Sequence, residues 1–280
     1  MAVTRIQQQS ATLQLIQFTD PHLFADRGGE MRGVNTFDSL GRVIEAARAD
    51  HWTPDALLIT GDIAQDESRE GYRVFREVFE PLSLPVLCLP GNHDDPDLMT
   101  AILNRGEVSC CTSLTLGDWR FIMLNSHLSG DDGGALGEAE LRRLEVVLAS
   151  AGEANILVAV HHQPLAMGSA WLDGYGLRDA SDFMSVLSAN RNVRAVLWGH
   201  VHQASDREHA GLRMISTPST CAQFTPGTEK CVMDTRPPGF RDLILWDSGR
   251  IDTNVVWLDD WVVAARPPDS RQPGMGHESG

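Results

Sequence analysis

Runs of basic residues are missing from this sequence. Its 23 Lys and Arg are scattered among 38 Asp and Glu, for a formal charge of −15. That balance argues against attachment to nucleic acid or to an anionic membrane, since both need basic patches. No uninterrupted apolar stretch approaches the roughly 20 residues of a membrane-spanning helix. The N-terminal stretch MAVTRIQQQSATLQ lacks the apolar segment of a secretory signal. Cysteine is sparse: Cys88, Cys110, Cys111, Cys221 and Cys231 are odd in number, and none are spaced as CxxC. The expectation is a cytoplasmic protein with reduced thiols, Cys88 being a small core residue. No disulfide is expected between the adjacent Cys110 and Cys111. Oligomeric state is left open.

What the sequence does hold is an alternation of apolar runs and amphipathic segments. LQLIQFT (13–19), DALLIT (55–60), PVLCLP (85–90), WRFIMLN (119–125), ANILVAV (154–160) and VRAVLW (193–198) read as buried strands. Between them, NTFDSLGRVIEAARAD reads as a helix capped near Asn35 or Thr36, and DESREGYRVFREVFE as a helix opened by acidic residues. DPDLMTAILN begins a short helix near Pro96. GEAELRRLEVVLAS carries Leu141, Leu144 and Leu148 on one face, and SDFMSVLSAN is capped by Ser181 or Asp182. GLRMIST, FRDLILW and RIDTNVVWL then follow without helices and suggest antiparallel strands. The pattern is α/β with two sheets. With no repeat and no linker, residues 1–263 read as one domain, and the Pro/Gly-rich stretch 264–280 as a disordered tail.

Five of the buried strands end in residues that bind metals or anions. FTDPH supplies Asp20 and His22, ITGD supplies Asp62, and LPGNHD supplies Asn92, His93 and Asp94. VAVHHQP supplies His161 and His162, and LWGHVH supplies His200 and His202. Each alone has an ordinary reading: an Asp-x-His turn, a strand-to-helix Gly-Asp, a structural histidine pair. Together they fall at the carboxyl ends of strands, where open α/β sheets bind ligands. In His200-x-His202 the alternation of an extended segment puts both imidazoles on one face. His51, His127 and His209 lack this placement and read as bystanders.

In this order, Asp20-x-His22, Gly61-Asp62, Gly91-Asn92-His93-Asp94, His161 and Gly199-His200-x-His202 resemble the calcineurin-like metallophosphoesterases. TDPHLF, GVNT, TGDIAQD, LPGNHD, HHQP, WLDGYGLRDA, GHVHQ, TPSTCAQF and DTRPPGFR further resemble the bacterial class III 3′,5′-cyclic-AMP phosphodiesterases. The resemblance covers nearly all of residues 13–260. It implies a four-layer αββα sandwich, two mixed β-sheets flanked by helices, around a dinuclear metal centre. It implies Asp20, His22, Asp62 and His202 as ligands of one metal, and Asp62, Asn92, His161 and His200 of the other, with Asp62 bridging. The substrate phosphate is then expected against His22, Asn92, His93, His161 and His202. Nitrogen and oxygen ligands suit a divalent or mixed-valence pair of Fe, Mn or Zn.

Charge explains the neutral amide of Asn92 within that ligand set. Two divalent ions bring four positive charges; Asp20, Asp62 and a bridging hydroxide remove three. An aspartate at position 92 would remove the last, where an anionic ester has to bind. His93 directly follows a ligand, so it does not readily point at the same metal. An ordinary imidazole, with a pKa of about 6.5, donates a proton near neutral pH. The resemblance places it on the leaving-group side of the phosphate. The alternative is a structural histidine bonded to Asp94, and Asp94 is expected to orient the ring in either case. His162 is expected to line the pocket or to back the ligands. WLDGYGLRD and STPSTCAQF read either as loops reaching the nucleoside or as loops packing on the core.

The function implied is hydrolysis of 3′,5′-cyclic AMP to 5′-AMP, with the bridging hydroxide as nucleophile, His93 as leaving-group acid, and Asp62 and Asn92 holding the centre. Two alternatives stand beside it. One is a broader phosphodiesterase acting on 2′,3′-cyclic nucleotides, glycerophosphodiesters or nucleotide-sugar diphosphates; the other is a nucleotide-binding regulator without turnover.

Overall fold

A computed structural model describes residues 12–49, 53–259 and 261. The stretch 264–280 and His51 lie outside the described residues. Fourteen strands occur in chain order among them. These are β1 (Thr12–Phe18), β2 (Glu30–Met31), β3 (Val34–Asn35), β4 (Ala56–Thr60), β5 (Val86–Leu89), β6 (Val108–Cys110) and β7 (Ser113–Leu116). They continue as β8 (Trp119–Met123), β9 (Asn155–Val160), β10 (Val193–Trp198), β11 (Ser205–His209), β12 (Leu212–Ser216), β13 (Gly239–Trp246) and β14 (Ile251–Trp257). The helices are α1 (Thr36–Ala49), α2 (Arg69–Phe79), α3 (Pro96–Leu103), α4 (Gly137–Ala149), α5 (Ala170–Asp173) and α6 (Ala180–Ser188).

The continuous apolar runs of the sequence exist because these strands bury both faces. One six-stranded sheet has the order β14-β13-β1-β4-β5-β6, with β1, β4, β5 and β6 parallel and β13 and β14 antiparallel. The other has the order β11-β12-β10-β9-β8-β7, with β12, β10, β9 and β8 parallel and an antiparallel strand at each edge. Alternate residues of each strand serve different layers. Leu58, Leu87 and Leu243 of one sheet meet Phe121, Leu157 and Leu197 of the other in the central core. Leu57, Ile59 and Cys88 point outward onto α1, α2 and α3, where Leu40, Phe75 and Met99 cover them. Val158, Val196 and Trp198 are covered likewise by Leu144 of α4 and Phe183 of α6. The layers are therefore helix, sheet, sheet, helix, as expected.

Local chemistry sets the helix starts. Asn35 Oδ1 accepts from the Asp38 N–H at 2.8 Å to open α1, and Ser68 Oγ accepts from Gly71 at 2.9 Å to open α2. Asp95 accepts from Asp97 and Leu98 ahead of Pro96 in α3. Two expectations are corrected. Helix α6 begins at Ala180, so Ser181 and Asp182 lie inside it. Asp179 stands at its N-cap, but its carboxylate is spent on the N–H groups of Leu136 and Gly137 at 3.0 and 2.8 Å. GLRMIST is antiparallel only to β11; toward β10 it is parallel, because the short hairpin β11–β12 reverses it onto the second sheet. All five cysteines are free, and no helix of the described residues is long and apolar enough to cross a membrane.

Candidate metal centre

The carboxyl ends of β1, β4 and β5 in one sheet and of β9 and β10 in the other bring all seven expected ligands together. Beyond the strands, the loops stay zipped: Asp20 N–H donates to Gly61 O at 3.1 Å, His22 to Asp62 O at 2.9 Å, and Leu23 to Ile63 O at 2.9 Å. Five of the seven sit at positive φ, namely Asp20 (51°), His22 (46°), Asp62 (50°), His200 (64°) and His202 (48°). For residues with a Cβ this conformation is strained, and such strain collects at functional sites. Glycines supply the room. A Cβ on Gly61 would overlap the His161 ring, one on Gly91 the Asp62 carboxylate, and one on Gly199 the Thr19 hydroxyl and Thr60 carbonyl.

Two groups of donors result. Ligand atoms of Asp20, His22, Asp62 and His202, all buried, lie within 4.8 Å of one another. In the second group Asn92 Oδ1 stands 3.2 Å from His161 Nε2 and 2.9 Å from His200 Nδ1. Asp62 addresses both, with Oδ2 3.6 Å from His22 Nε2 and Oδ1 3.4 Å from His161 Nε2. It is the single residue shared by the two expected ligand sets.

The donor set fits cations. His202 Nδ1 donates to Ala222 O at 2.6 Å and His161 Nδ1 to Thr60 O at 2.8 Å, since a carbonyl only accepts. Each ring therefore turns its Nε2 inward. That of His202 meets His22 Nε2 at 3.2 Å, and that of His161 meets oxygens that carry no proton. Asp20 Oδ2, His22 Nδ1 and His200 Nε2 are buried without a hydrogen-bond partner. Buried nitrogen and oxygen donors converging in this way are the arrangement that a cation completes.

Electrostatics carry the same signature. Burial, reinforced by the charge of Asp62, pushes the Asp20 carboxyl up to about 7. Burial likewise drives His22 and His200 well below the ordinary imidazole value and His202 down to about 4. His161 is the exception: burial opposes its charge, but Asp62 beside it pushes the ring up to about 9. Asp62 is buried too, yet His161 and His93 hold its carboxyl well below the carboxylate range. Metal-free, the centre compensates one carboxylate with one imidazolium.

The remaining expected residues lie around these two groups. His93 is half-buried; its N–H donates to Asp62 Oδ1 at 3.0 Å and its ring lies edge-on to His22, 5.2 Å away. The expected Asp94–His93 contact is absent. Asp94 instead accepts the N–H groups of Ile63, Ala64 and Gly91 at 2.9–3.1 Å, and the Tyr72 hydroxyl at 3.2 Å, which nails the GNHD loop to the GDIA loop. Burial raises its carboxyl to about 6. His162 is fully buried behind His161 and His200, bonded at Nδ1 to Ser126 Oγ at 2.8 Å.

Sequence reasoning missed several neighbours of the site. His127, read as a bystander, bonds Gly91 O at 3.0 Å and so braces the GNHD loop. Its only signal was a position just after β8. His209 is exposed on β11. Cys221 lies close to His22 and His202, but burial pushes its thiol up to about 12, so it stays protonated, its Sγ 3.5 Å from Asp20 O. The stretch STPSTCAQF proves a buttress: Ser219 Oγ bonds Asp20 O at 2.8 Å, and Phe224 stacks on the His202 ring at 4.5 Å. Trp171 of the WLDGYGLRD loop meets Phe224 edge-on at 5.2 Å.

The family model of the calcineurin-like phosphoesterases matches residues 13–204, a span that includes every one of these ligands. The chain belongs to that family. It is 37% identical over 252 residues to the 3′,5′-cyclic adenosine monophosphate phosphodiesterase CpdA of Pseudomonas aeruginosa, covering 90% of this chain and 92% of that one. To the CpdA of Vibrio vulnificus it is 39% identical over 248 residues, covering 88% and 90%. Among solved structures, a dimetal phosphatase from Danio rerio superposes with a TM-score of 0.61 at 14% identity, over 88% of this chain and 98% of that one. At that identity the superposition speaks for the calcineurin-like fold alone.

Proposed function

We propose that this calcineurin-like phosphoesterase hydrolyses 3′,5′-cyclic AMP to 5′-AMP. The observation that carries the reading is Asp62, one carboxylate oxygen turned to each donor group, in a chain similar along nine-tenths of its length to cyclic-AMP phosphodiesterases. Bound there, a metal pair supplies Lewis-acid charge for the phosphate oxygens and acidifies water into a nucleophile at neutral pH. Asp20, His22, Asp62 and His202 would hold one ion; Asp62, Asn92, His161 and His200 the other. Nitrogen and oxygen donors favour Fe, Mn or Zn.

The chain's own residues do the rest. Only Asp20 and Asp62 bring negative charge to the set, and the neutral Asn92 oxygen leaves net attraction for an anionic diester. His22, Asn92, His93, His161 and His202 border the place for its phosphate. His93 gives its Nε2 proton to the departing 3′ oxygen as the P–O3′ bond breaks. Phosphate held between five buried or half-buried groups is shielded from bulk water, which strengthens each contact. The two sheets share one central core, which supports reading the described chain as one domain. Five free thiols support a cytoplasmic site of action.

Rates on 3′,5′-cyclic AMP, 2′,3′-cyclic AMP, glycerophosphocholine and a nucleotide-sugar diphosphate, compared at saturating Mn, test the substrate. The reading expects the highest kcat/KM on 3′,5′-cyclic AMP, with 5′-AMP as product. A higher value on any of the others would assign the broader phosphodiesterase, and tight binding without turnover would assign a regulator.

A further inference from the structure

Cys221 stands among metal-binding donors. Its Sγ and one ring nitrogen each of His22 and His202 lie within 4.8 Å of one another, and all three residues are buried. Among the described residues, no other cysteine joins such a group. The set shares both imidazoles with the group of Asp20, His22, Asp62 and His202, but brings a sulfur in place of two carboxylates. We propose that Cys221, His22 and His202 form an alternative site for thiophilic cations, one that overlaps the first metal position and displaces the ion belonging there. The site depends on the metal-centre reading, not on which ester is hydrolysed.

The thiol is carried by the same loop that steadies the ligands. Cys221 N–H donates to Ser219 Oγ at 2.9 Å, and the Ser219 hydroxyl donates to Asp20 O at 2.8 Å. One residue on, Ala222 O accepts from His202 Nδ1 at 2.6 Å. The backbone bearing the sulfur is therefore tied to two ligand residues at once. A second observation points to the same place without the thiol. His22 is 2% exposed, yet its Nδ1 has no hydrogen-bond partner, while its Nε2 faces His202 at 3.2 Å. A buried imidazole left unsatisfied in this way is one that a bound cation accounts for.

Donor chemistry decides which ions go where. Thiolate with imidazole suits zinc and softer ions, whereas carboxylate-rich sets suit Mn²⁺. A hard ion gains little from sulfur and settles with Asp20 and Asp62. A thiophilic ion is drawn instead to Cys221, which shares no close group of donors with either carboxylate. Without a cation, burial keeps the proton on the sulfur. When a thiophilic ion binds, the S–H bond breaks, a sulfur–metal bond forms and the proton passes to the bulk buffer; nothing is oxidised. An ion seated there occupies His22 and His202, and so excludes the one that Asp62 would share.

The test adds Cd²⁺ or Mn²⁺ to chelated full-length protein, wild type and Cys221→Ser. With the first equivalent of Cd²⁺, wild type should develop a near-ultraviolet sulfur-to-cadmium charge-transfer band that the variant lacks. Cd²⁺ affinity should fall by about 10–100-fold in Cys221→Ser, the cost of losing a partner at a metal site. Mn²⁺ affinity should stay within about threefold, since that ion takes little from sulfur. Correspondingly, Cd²⁺ should strip Mn from wild type at about tenfold lower concentration than from the variant. Identical bands, or equal losses of affinity for both ions, would overturn the proposal and assign Cys221 to packing. A ¹¹³Cd spectrum of wild type needs no variant: it should hold a resonance in the range of mixed sulfur and nitrogen donors, and resonances of nitrogen and oxygen donors alone would overturn it. Neither readout uses an ester, so failure of the cyclic-AMP assignment would leave the result standing.

Discussion

Asp62 Oδ1 stands 3.4 Å from His161 Nε2, and across that gap the two sheets of the sandwich share one site. Asp62 follows β4 of the first sheet, His161 follows β9 of the second. Sheet packing and the metal centre are therefore coupled, and a residue that fixes one fixes the other.

Loss of this shared carboxylate should empty both positions, whereas loss of Asn92 weakens only one. Asp62→Ala should retain far less than one ion per chain after desalting, and Asn92→Ala about one, against about two for wild type. Elemental analysis of the three proteins checks this. Equal metal content in wild type and Asp62→Ala would contradict a bridging role.

Gly91 matters for what it lacks. A methyl group there would overlap Asp62 Oδ1 and its backbone nitrogen, while Asp94 binds the Gly91 N–H and forbids an easy retreat of the loop. Gly91→Ala should cost about 1–3 kcal/mol of stability, the range for overpacking a rigid site. Calorimetry of metal-free protein reads this, and the loaded protein should also lose metal. An unchanged melting temperature with full metal content would contradict it.

Acid should destabilise the metal-free protein. Burial depresses His22, His162 and His200, and takes His202 to about 4, whereas the unfolded rings titrate near 6.5. Each contributes stability that is present above pH 6.5 and lost as pH falls through its folded value. Asp20 and Asp94, raised to about 7 and about 6, act oppositely: their contribution is full below the unfolded value near 4 and lost as pH rises through 6 to 7. His161, raised to about 9, is charged in both states below 6.5 and drops out. Four imidazoles against two carboxyls leave the unfolded chain holding about two more protons between pH 4 and 6.5. Chelated protein should therefore melt at a lower temperature at pH 5 than at pH 7. A flat or rising melting temperature on acidification would contradict this balance.

Much of this architecture was legible because doubly buried strands write themselves as unbroken apolar runs, and because their carboxyl ends are marked by Gly-Asp, Gly-Asn-His-Asp and Gly-His-x-His. Edge strands are different. β11, SDREH, is nearly all exposed, so nothing in its composition marks it as a strand. The parallel pairing of β12 with β10 is nonlocal and depends on that unmarked hairpin. At the site, residue types named the ligands, but hydrogen-bond partners did not follow from adjacency. Asp94 turned away from His93 toward backbone N–H groups, and Gln65, from a loop 28 residues earlier, took its place. Likewise, nothing in STPSTCAQF foretold that its serine would brace Asp20.

The neutral amide of Asn92 makes a separate prediction. Asn92→Asp keeps an oxygen between His161 and His200 and adds a charge, so metal binding should hold or tighten. The same charge should raise KM for cyclic AMP by about 10-fold or more, on the order of the 1.4 kcal/mol that one close, partly screened charge contributes. Titrating substrate against the metal-saturated variant checks it. An unchanged KM would remove the charge argument and leave Asn92 as a ligand only.

The account stands most directly on one comparison: the appearance of 5′-AMP from 3′,5′-cyclic AMP, followed by chromatography, for wild type and Asp62→Asn, each with Mn and after exhaustive chelation. Wild type with Mn should convert the substrate wholly to 5′-AMP, chelation should abolish the conversion, and restored Mn should recover it. Asp62→Asn should stay at least about 10³-fold slower, having lost the carboxylate that addresses both donor groups. Conversion that survives chelation, or an Asp62→Asn protein as fast as wild type, would contradict a metal-dependent phosphodiesterase centred on this residue.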